Sequence, residues 1–379
     1  MSRPIRVAFV VHIMQVAGAE VLVRETVRSL RGKIVPIIFC LDAVGRIGEE
    51  MIQEGVPLVC FGRKPGRDLG VSRRMAAAIH QHEIEVIHAH QYTPFFYAAL
   101  AKVLCRFRPK LILNEHGRHY PDRVSPIRRA VNRLVFDHLA DAVTACSRFS
   151  AEGLMRTDGF AGARIEVIEN GIELTHYGPA ADKSLSKEEL GLDPHRRYII
   201  HVARHHPVKD QATLLKGFAA AVGELPGVDL LMVGDGPLRS ELEALSVELQ
   251  ARDRVKFLGI RTDIPDLMRA ADAFALTSLS EAASLTLLEA MASGLPSVVT
   301  NVGGNPELVR HECEGLLFPR GDAAACNAAF RRLFADAALA ERLGKAARDR
   351  AVEHYQLSRT INQYYDLYCR LAGRPHERI

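Results

Sequence analysis

Apolar strand-like runs alternate with amphipathic stretches along the first half of the chain. Short β-rich runs predict strands at residues 7–13, 34–41, 56–61, 86–88, 111–114 and 142–145. Between them, apolar residues that recur every three to four positions predict helices at residues 19–30, 72–82 and 94–104. Strands separated by helices are typical of βαβ units, so this half is expected to form a parallel sheet.

The same alternation restarts in the second half. Strands are predicted at residues 198–203, 229–234, 255–259, 273–276, 297–300 and 315–318. Helices are predicted at residues 211–222, 238–251, 264–270, 285–293 and 322–335. A last helical pattern covers residues 357–371 and carries Ile361, Tyr364, Tyr365 and Tyr368.

A segment rich in turn residues and charge separates the two series, at residues 175–197, and is interpreted as a linker. The fold class is therefore α/β, with two doubly wound parallel-sheet domains facing each other across a cleft. The expected domains are residues 1–180 and 181–356, followed by a C-terminal helix at 357–379 that packs back toward the first domain. Because ligands of open parallel sheets bind beyond the carboxyl ends of the strands, the residues that follow each strand are the candidates for chemistry.

Size and composition fit two soluble domains. The 379 residues, of which 48% are hydrophobic, are enough for two cores. No apolar run reaches eighteen residues, and the N-terminus enters the first strand without the cleavage site of a signal peptide, so we expect a cytoplasmic protein. The seven cysteines form no CxxC pair and are expected to be reduced and mostly buried.

The charge is unevenly distributed. Residues 1–180 carry a formal charge of +6 and residues 181–379 carry −2. A basic first half suits an anionic acceptor or an anionic membrane surface, but it is equally consistent with ordinary solvated charge. Arg128, Arg129 and Arg133 are the candidates for a helix face that meets anionic lipid, and a solvated helix face is the alternative.

Two cations follow the first strand of the second half. Arg204 and Lys209 lie between the strand predicted at 198–203 and the helix predicted at 211–222. Such a loop, with the dipole of the following helix, makes a good clamp for a diphosphate, and arginine adds paired donors. The alternative is a pair of surface cations.

Two carboxylates follow a later strand. Glu281 precedes a predicted helix, and Glu289 lies inside that helix on an otherwise apolar stretch. A carboxylate in such a place must be paired or hydrogen-bonded, and sugar hydroxyls, including the two of a ribose diol, are suitable donors. The alternative is a capping residue and a partly exposed helical glutamate.

Glycine-rich turns follow three other strands. Gly234 opens a tight turn, and the backbone amides at Gly303 and Gly304 could approach a sugar closely, because glycine permits it. Gly18, at the start of the first helix, lies in a plausible oxyanion-binding turn. That turn lacks the GxGxxG pattern, which argues against a nicotinamide-dependent dehydrogenase.

Three histidines lie at strand ends. His116 could orient a sugar hydroxyl or pass a proton, and a structural loop histidine is the alternative. His88 and His90 end another strand, and we expect one ring in the sheet and the other in the cleft. They are interpreted as structural, because two histidines without further ligands make no metal site.

Taken in order, these motifs resemble the retaining GT-B nucleotide-sugar glycosyltransferases of glycosyltransferase family 4. The resemblance runs over nearly the whole chain. Its motifs are Gly-Ala-Glu at 18–20, His-Ala-His at 88–90, Glu-His-Gly at 115–117, Val-Ile-Glu-Asn-Gly-Ile at 167–172, Arg-x4-Lys at 204–209, Gly-Asp-Gly-Pro-Leu at 234–238, Phe-Leu-Gly at 257–259, Glu-x7-Glu at 281–289 and Gly-Gly-Asn-Pro-Glu at 303–307. The stretch 115–122 further resembles enzymes of exported-polysaccharide pathways.

The resemblance implies a role for each candidate residue. Arg204 and Lys209 would hold the donor diphosphate, Glu281 would contact the donor sugar and its transition state, and Glu289 would bind the ribose. The implied catalytic residues are Glu281, His116, Arg204 and Lys209. Further donor contacts are implied at Gly234, Gly259, Arg261, Ser284 and Leu285, and Gly18 and His116 would lie on the acceptor side, in an acceptor-binding first domain.

The resemblance also implies a reaction. Two Rossmann-like domains would transfer a sugar, with retention of anomeric configuration, from a nucleotide-diphosphate sugar to a glycan or lipid-linked acceptor in cell-surface polysaccharide synthesis. A UDP-sugar is the favoured donor. No metal, cofactor or nucleic acid is implied, and the enzyme would work in the cytoplasm at the inner face of the membrane. A GT-B sugar-nucleotide epimerase and a non-catalytic nucleotide-binding module remain alternatives.

The sequence departs from the family pattern at two places. Ala282 and Ala283 stand where the family commonly has Gly-Phe, which leaves the donor sugar open. Ala17 stands where the family has the first glycine of the N-terminal turn, and Gly18 is kept. Neither change removes a charged group.

Overall fold

A computed structural model of the chain describes residues 3–117 and 125–375. These residues form two compact units. The first contains residues 3–117, 125–170 and 358–375, and the second contains residues 171–357.

The first unit is built on a parallel sheet of seven strands among the described residues. The strands are β1 (Ile5–Ile13), β2 (Ile34–Ala43), β3 (Leu58–Cys60), β4 (Val86–His90), β5 (Lys110–Glu115), β6 (Ala142–Ala145) and β7 (Ile165–Val167). Their order across the sheet is β3-β2-β1-β4-β5-β6-β7, with every pairing parallel. The strand order reverses between β1 and β4, so this is a doubly wound sheet with its switch point there.

Helices connect these strands. They are α1 (Gly18–Ser29), α2 (Arg46–Gln53), α3 (Gly70–Gln81), α4 (Tyr92–Leu104), α5 (Pro126–Val131), α6 (Asp137–Leu139) and α7 (Arg148–Gly153). Two π-helical segments, Asn132–Phe136 and Leu154–Asp158, continue α5 and α7, and Gly162–Arg164 forms a 3₁₀ turn.

Side chains alternate between the two faces of this sheet because the strand repeat is two residues. Ala8 and Val10 of β1 point into a core with Phe95 of α4. On the other face, Phe9 contacts the ring of Tyr368 with 6.4 Å between ring centroids. The chain therefore returns to the first unit at its end, where its last helix covers a face of the first sheet.

The second unit contains a parallel sheet of six strands among the described residues. The strands are β8 (Arg197–Val202), β9 (Val228–Val233), β10 (Val255–Gly259), β11 (Ala273–Leu276), β12 (Ser297–Thr300) and β13 (Gly315–Phe318). The order is β10-β9-β8-β11-β12-β13, again with every pairing parallel. Here the switch point lies between β8 and β11.

The remaining helices are α8 (Lys183–Glu189), α9 (Gln211–Ala221), α10 (Arg239–Glu248), α11 (Ile264–Ala270), α12 (Leu285–Ala292), α13 (Asn305–Leu308), α14 (Ala323–Ala335), α15 (Ala337–His354) and α16 (Leu357–Ala372). The 3₁₀ turns are Pro207–Lys209 and Arg252–Arg254. Ile199 and Ile200, neighbours on β8, belong to two different cores on opposite faces of the sheet. Burial on both faces explains why these strands are continuous apolar runs.

The predicted linker is a folded part of the second unit. Asp182 accepts hydrogen bonds from the first amides of α8, and the buried Lys187 of that helix lies 3.2 Å from the carboxylate of Asp272. The boundary also lies earlier than the predicted residue 180, between Asn170 and Gly171. Charge and turn residues were a misleading signal here, because the charges serve to cap and pair a helix.

No helix in the described part of the chain is long and apolar enough to cross a bilayer. Within the same residues, no three His, Cys, Asp or Glu side chains cluster in a way that could hold a metal ion. All seven cysteines are free thiols, and Cys60 and Cys313 are exposed.

Candidate functional site

The candidate site of the second unit lies at the switch point of its sheet. The loop after β8 carries Arg204 and Lys209, and the loop after β11 carries Glu281. Because β8 and β11 are neighbours whose helices leave toward opposite faces, their following loops border the crevice in which open α/β sheets bind ligands.

Hydrogen bonds fasten these two loops to each other. The hydroxyl of Thr277 donates to the carbonyl oxygens of Lys209 and Asp210, at 3.0 Å each. The amide of Leu279 donates to the carbonyl of Val208 at 2.8 Å. Asp210, at φ +44°, then caps α9 through its carboxylate, so the chain turns sharply from the loop into the helix. The position of Lys209 is thereby fixed from both sides.

Lys209 and Glu281, 72 residues apart in sequence, are in direct contact. The Lys209 Nζ donates to Glu281 Oε1 at 2.5 Å, and the hydroxyl of Ser278 donates to the same oxygen at 2.6 Å. Only 10% of the Glu281 side chain is exposed. The carboxylate of Glu281 and the ammonium group of Lys209 are therefore held together, with the carboxylate mostly buried and Lys209 partly exposed to solvent.

Arg204 lies at the start of the same loop and is exposed. Its guanidinium group makes no ion pair among the residues described, while its carbonyl oxygen accepts a hydrogen bond from the Gln211 amide at 2.9 Å. The loop thus presents one cation that is bound to an acid and one that faces solvent.

The Gly303-Gly304 turn after β12 packs against the backbone carbonyl of Glu281. The amide of Gly304 donates to the carbonyl of Glu281 at 2.9 Å. A Cβ atom at Gly303, whose φ is +55°, would lie 1.9 Å from that carbonyl oxygen. Since the Gly304 amide is already used, the expectation that both amides of this turn approach a sugar is wrong for Gly304. The turn positions the acid instead.

Glu289 lies in the middle of α12, and the hydroxyl of Tyr177 lies close to its carboxyl group. Burial raises the pKa of Glu289 to about 7, and the nearby Tyr177 hydroxyl opposes that shift. Burial and the neighbouring carboxyl group raise the pKa of Tyr177 well above its ordinary value, so its hydroxyl keeps its proton. The carboxyl group is thus costly to ionise, and a diol could supply it with two donors.

Ser284 and Leu285 begin α12. The Ser284 hydroxyl caps the helix by accepting from the amide of Leu287 at 3.3 Å, and Leu285 is partly buried against the core. Their side chains therefore hold the helix that carries Glu289. The helix N-terminus still presents backbone amides to an anion.

Gly234, Gly259 and Arg261 follow β9 and β10. The amide of Gly234 donates to the carbonyl of Gly259 at 2.8 Å, and a Cβ at Gly234 would lie 2.1 Å from the carbonyl oxygen of Ala203. Only glycine permits this contact between the turn and the loop that carries Arg204. The guanidinium of Arg261 is paired with Asp263, with Nε to Oδ1 at 2.8 Å.

In the first unit, Gly18 is the exposed first residue of α1, and no side chain caps that helix. His116 follows β5, and its Nε2 lies 2.7 Å from Nδ1 of His90. Burial lowers the pKa of His116 to about 4, so the ring is neutral at physiological pH. A neutral ring can orient a hydroxyl group or accept its proton.

His88 and His90 lie on the same face of β4, with ring centroids 4.2 Å apart, and both are buried. The expectation of one ring in the sheet and one in the cleft is wrong, because residues two apart on a strand point the same way. Nδ1 of His88 lies 2.7 Å from the hydroxyl of Tyr368 in α16. The two rings thus connect α16 to the end of β4.

Sequence reasoning missed Ser278 and Tyr177 as members of the site. Ser278 is the second residue after β11, so its place after a strand end was an available signal. Tyr177 gave no signal, because it lies in the segment interpreted as a linker. Residues 118–122 of the stretch that resembles exported-polysaccharide enzymes lie outside the described residues.

Comparisons with known proteins agree with this geometry. Residues 182–350 match the model of the glycosyl transferases group 1, and residues 16–176 match that of Glycosyltransferase Family 4. Each of the two units thus carries the signature of one half of such an enzyme.

Curated relatives and solved structures point the same way. The chain is 29% identical to the N-acetyl-alpha-D-glucosaminyl L-malate synthase of Bacillus anthracis, over 80% of this chain and 79% of that protein. It is 32% identical to the UDP-Gal:alpha-D-GlcNAc-diphosphoundecaprenol alpha-1,3-galactosyltransferase of Escherichia coli, over 54% of each. Anabaena Alr3699/HepE, solved with UDP and glucose, has the same fold at a TM-score of 0.84 and 24% identity, covering 96% of this chain and 99% of that one. With both units matched and the doubly wound sheets in place, the chain belongs to the GT-B glycosyltransferases of family 4.

Proposed function

We propose that this enzyme transfers a sugar, with retention of anomeric configuration, from a UDP-sugar to a glycan or lipid-linked acceptor in cell-surface polysaccharide synthesis. The observation that carries the proposal is the contact of Lys209 with Glu281 at the switch point of the second sheet. Arg204 lies on the same loop as Lys209, and Glu289 lies in the helix that follows Glu281.

The cations and the acids would have different tasks. In the transfer, the bond between the anomeric carbon and the β-phosphate oxygen breaks, and a bond to an acceptor hydroxyl forms on the same face. The leaving diphosphate takes the proton of that hydroxyl. Arg204 and Lys209 would stabilise the charge that develops on the diphosphate, a contribution of about 10²–10³ in rate for one well-placed donor. With two cations in this place, we expect the reaction to need no metal, cofactor or nucleic acid.

Glu281 and Glu289 would bind the two sugars of the donor. Glu281 would contact the transferred sugar and help to stabilise its positive character in the transition state. The ribose diol would supply two hydrogen bonds to Glu289. Gly234, Gly259, Arg261, Ser284 and Leu285 would complete the donor site through their backbone, and Gly18 and His116 would serve the acceptor side.

The donor and acceptor classes are inferred from relatives. The E. coli relative is named for UDP-Gal and for a diphosphoundecaprenol acceptor, and HepE was solved with UDP and glucose. We infer a UDP-sugar donor and an acceptor of the glycan or lipid-linked class. An acceptor of that class would be reached at the inner face of the cytoplasmic membrane.

The proposal is tested by incubating the protein with UDP-, GDP- and ADP-sugars, with and without lipid-diphosphate and glycan acceptors, in the presence of a chelator. We expect acceptor-dependent release of UDP and a product whose anomeric configuration, determined by NMR, equals that of the donor. Isomerised sugar nucleotide without acceptor would instead indicate an epimerase. Nucleotide binding without turnover would indicate a non-catalytic module.

A matched pair of variants locates the activity. Arg204→Ala should abolish acceptor-dependent UDP release, while Lys216→Ala, at an exposed position of α9, should leave it unchanged. Equal activity of the two variants would remove the loop after β8 from the reaction.

A further inference from the structure

The ends of β4 and β5 carry two histidines that share a hydrogen bond. His90 is the last residue of β4, and His116 directly follows β5. The two strands pair with His90 opposite Asn114, and the amide of Gln91 donates to the Asn114 carbonyl at 2.7 Å. Nδ1 of His90 then lies 2.7 Å from Nε2 of His116, with the two ring planes 11° apart. The bond is therefore set by the register of the sheet.

His90 is firmly held at this place. Its side chain is buried, and its ring contacts the rings of Phe9 and His88, with 6.2 Å and 4.2 Å between centroids. His88 is in turn fixed by the hydroxyl of Tyr368, which lies 2.7 Å from its Nδ1. His116, by contrast, is partly exposed. One end of the pair is thus anchored in the core, and the other end can meet a ligand.

Packing alone does not account for a histidine at position 90. Its Nε2 atom is buried and has no hydrogen-bond partner in the described part of the chain. Burying a polar atom in this way costs free energy, and an apolar side chain of similar size would avoid that cost. The hydrogen bond that His90 does make, through Nδ1, goes to His116. The histidine is therefore explained by what it does for His116.

The bond with His90 decides which nitrogen of His116 can serve a substrate. Burial lowers the pKa of both rings, that of His116 to about 4, so each ring carries one proton at physiological pH. Whichever ring supplies the shared hydrogen, Nε2 of His116 is occupied by the bond. Nδ1 is then the nitrogen left for a hydroxyl group, and the state of Nε2 fixes whether Nδ1 carries a proton.

We propose that His90 is a positioning residue, which holds the ring of His116 so that Nδ1 meets the hydroxyl group of the acceptor. This inference rests on the acceptor-side role proposed for His116. His90 is too deeply buried to touch the acceptor and acts through His116. It fixes the ring before the acceptor binds, because a group that is already in place reacts faster than one that must first be ordered.

Two substitutions of equal shape separate the hydrogen bond from the packing. Leucine and asparagine are isosteric, but only asparagine has polar atoms where histidine has Nδ1. His90→Leu should lower kcat/KM for the acceptor by about 10–100-fold and leave KM for the donor unchanged. His90→Asn should recover most of that loss. Tyr368→Phe removes the neighbouring bond to His88, serves as the control and should leave both constants unchanged.

A double variant tests whether His90 acts through His116. In the His116→Ala background, adding His90→Leu should cause no further loss of kcat/KM, since the ring to be positioned is gone. A residue that merely supports the fold would lower activity by the same factor in both backgrounds.

The pair is also observable without turnover. In protein carrying ¹⁵N-labelled histidine, a hydrogen bond between two nitrogens gives a scalar coupling between Nδ1 of His90 and Nε2 of His116. We expect this coupling in the wild type and in Tyr368→Phe. In His90→Leu, the ring of His116 should exchange between its two tautomers. The wild-type measurement needs neither an acceptor nor a folded variant.

Four results would overturn the inference. They are a wild type without the coupling, normal kcat/KM in His90→Leu, equal losses in His90→Leu and His90→Asn, and an equal loss with and without His116. Absence of transfer by the wild type would overturn the proposed function, and this inference with it. Normal transfer by His90→Leu would overturn this inference alone.

Discussion

Replacing Glu289 by glutamine should make the empty protein more stable and bind nucleotide less tightly. Glu289 lies in α12 at a partly buried position, and burial raises its pKa to about 7. A glutamine keeps the shape and an acceptor oxygen, but it has no charge to desolvate. The substitution therefore separates the cost of burying the acid from its use in binding.

The magnitude follows from the shift in pKa, from 4.5 to about 7. Between these values the unfolded chain has lost the proton that the folded protein still holds, so the stability of the wild type falls as pH rises. At about 1.4 kcal/mol per unit, the loss reaches about 3 kcal/mol above pH 7 and is absent below pH 4.5. Glu289→Gln should regain this free energy at pH 8, which corresponds to about 6–12 °C in Tm.

Nucleotide binding should change in the opposite direction. Two ribose hydroxyls that donate to a carboxylate make charge-assisted hydrogen bonds, so the glutamine should weaken UDP binding by about 10–100-fold. Because these bonds favour the ionised acid, UDP binding to the wild type at pH 6 should release a proton. Calorimetry in two buffers of different ionisation enthalpy measures that release, and the variant should show none at this position.

Thermal denaturation from pH 4 to 8 and calorimetric titration with UDP test both halves of the prediction. Glu248→Gln, at an exposed position of α10, is the matched control and should change neither quantity. A Glu289→Gln protein that is less stable than the wild type at pH 8, or that binds UDP equally well, would refute the reasoning.

Two further substitutions probe the loops at the switch point. Lys209→Ala should lower kcat by about 10²–10³ and lower the free energy of unfolding by about 1–3 kcal/mol, because Glu281 loses its partner. Adding Glu281→Gln should restore the stability measured by denaturant unfolding but not the activity. A double variant no more stable than the single one would speak against the ion pair. Gly303→Ala should lower the free energy of unfolding by more than about 1 kcal/mol and lower kcat, since its Cβ would displace Glu281. Gly321→Ala, at φ +72° in open space, should lower the free energy of unfolding by about 1 kcal/mol and leave kcat unchanged. Similar kcat values for the two alanine variants would contradict that role of Gly303.

Much of the fold was predictable from the sequence because buried strands of parallel sheets are short apolar runs. The strand predicted at 273–276 agrees with β11 residue for residue, and the helix predicted at 264–270 agrees with α11. Other ends were less well placed. The strand predicted at 86–88 continues to His90, because the buried ring of that histidine packs in the sheet although its side chain is polar.

The contacts of the site could not be predicted in the same way. Spacing in sequence places Glu281 after a strand, but only the folded chain brings it to Lys209, 72 residues earlier. Tyr177 reaches Glu289 from a segment whose charges and turn residues indicated a linker. The requirement for glycine at Gly303 depends on a carbonyl oxygen contributed by another loop. Local patterns predict elements, whereas contacts between distant loops depend on the packing of the whole unit.

The convergence of two cations and two acids on one sugar nucleotide is tested most directly by a crystal structure of the protein with UDP. We predict the diphosphate within hydrogen-bonding distance of Arg204 and Lys209, and the ribose hydroxyls within hydrogen-bonding distance of Glu289. UDP bound elsewhere, with Lys209 still paired to Glu281 and no ribose hydroxyl at Glu289, would contradict it.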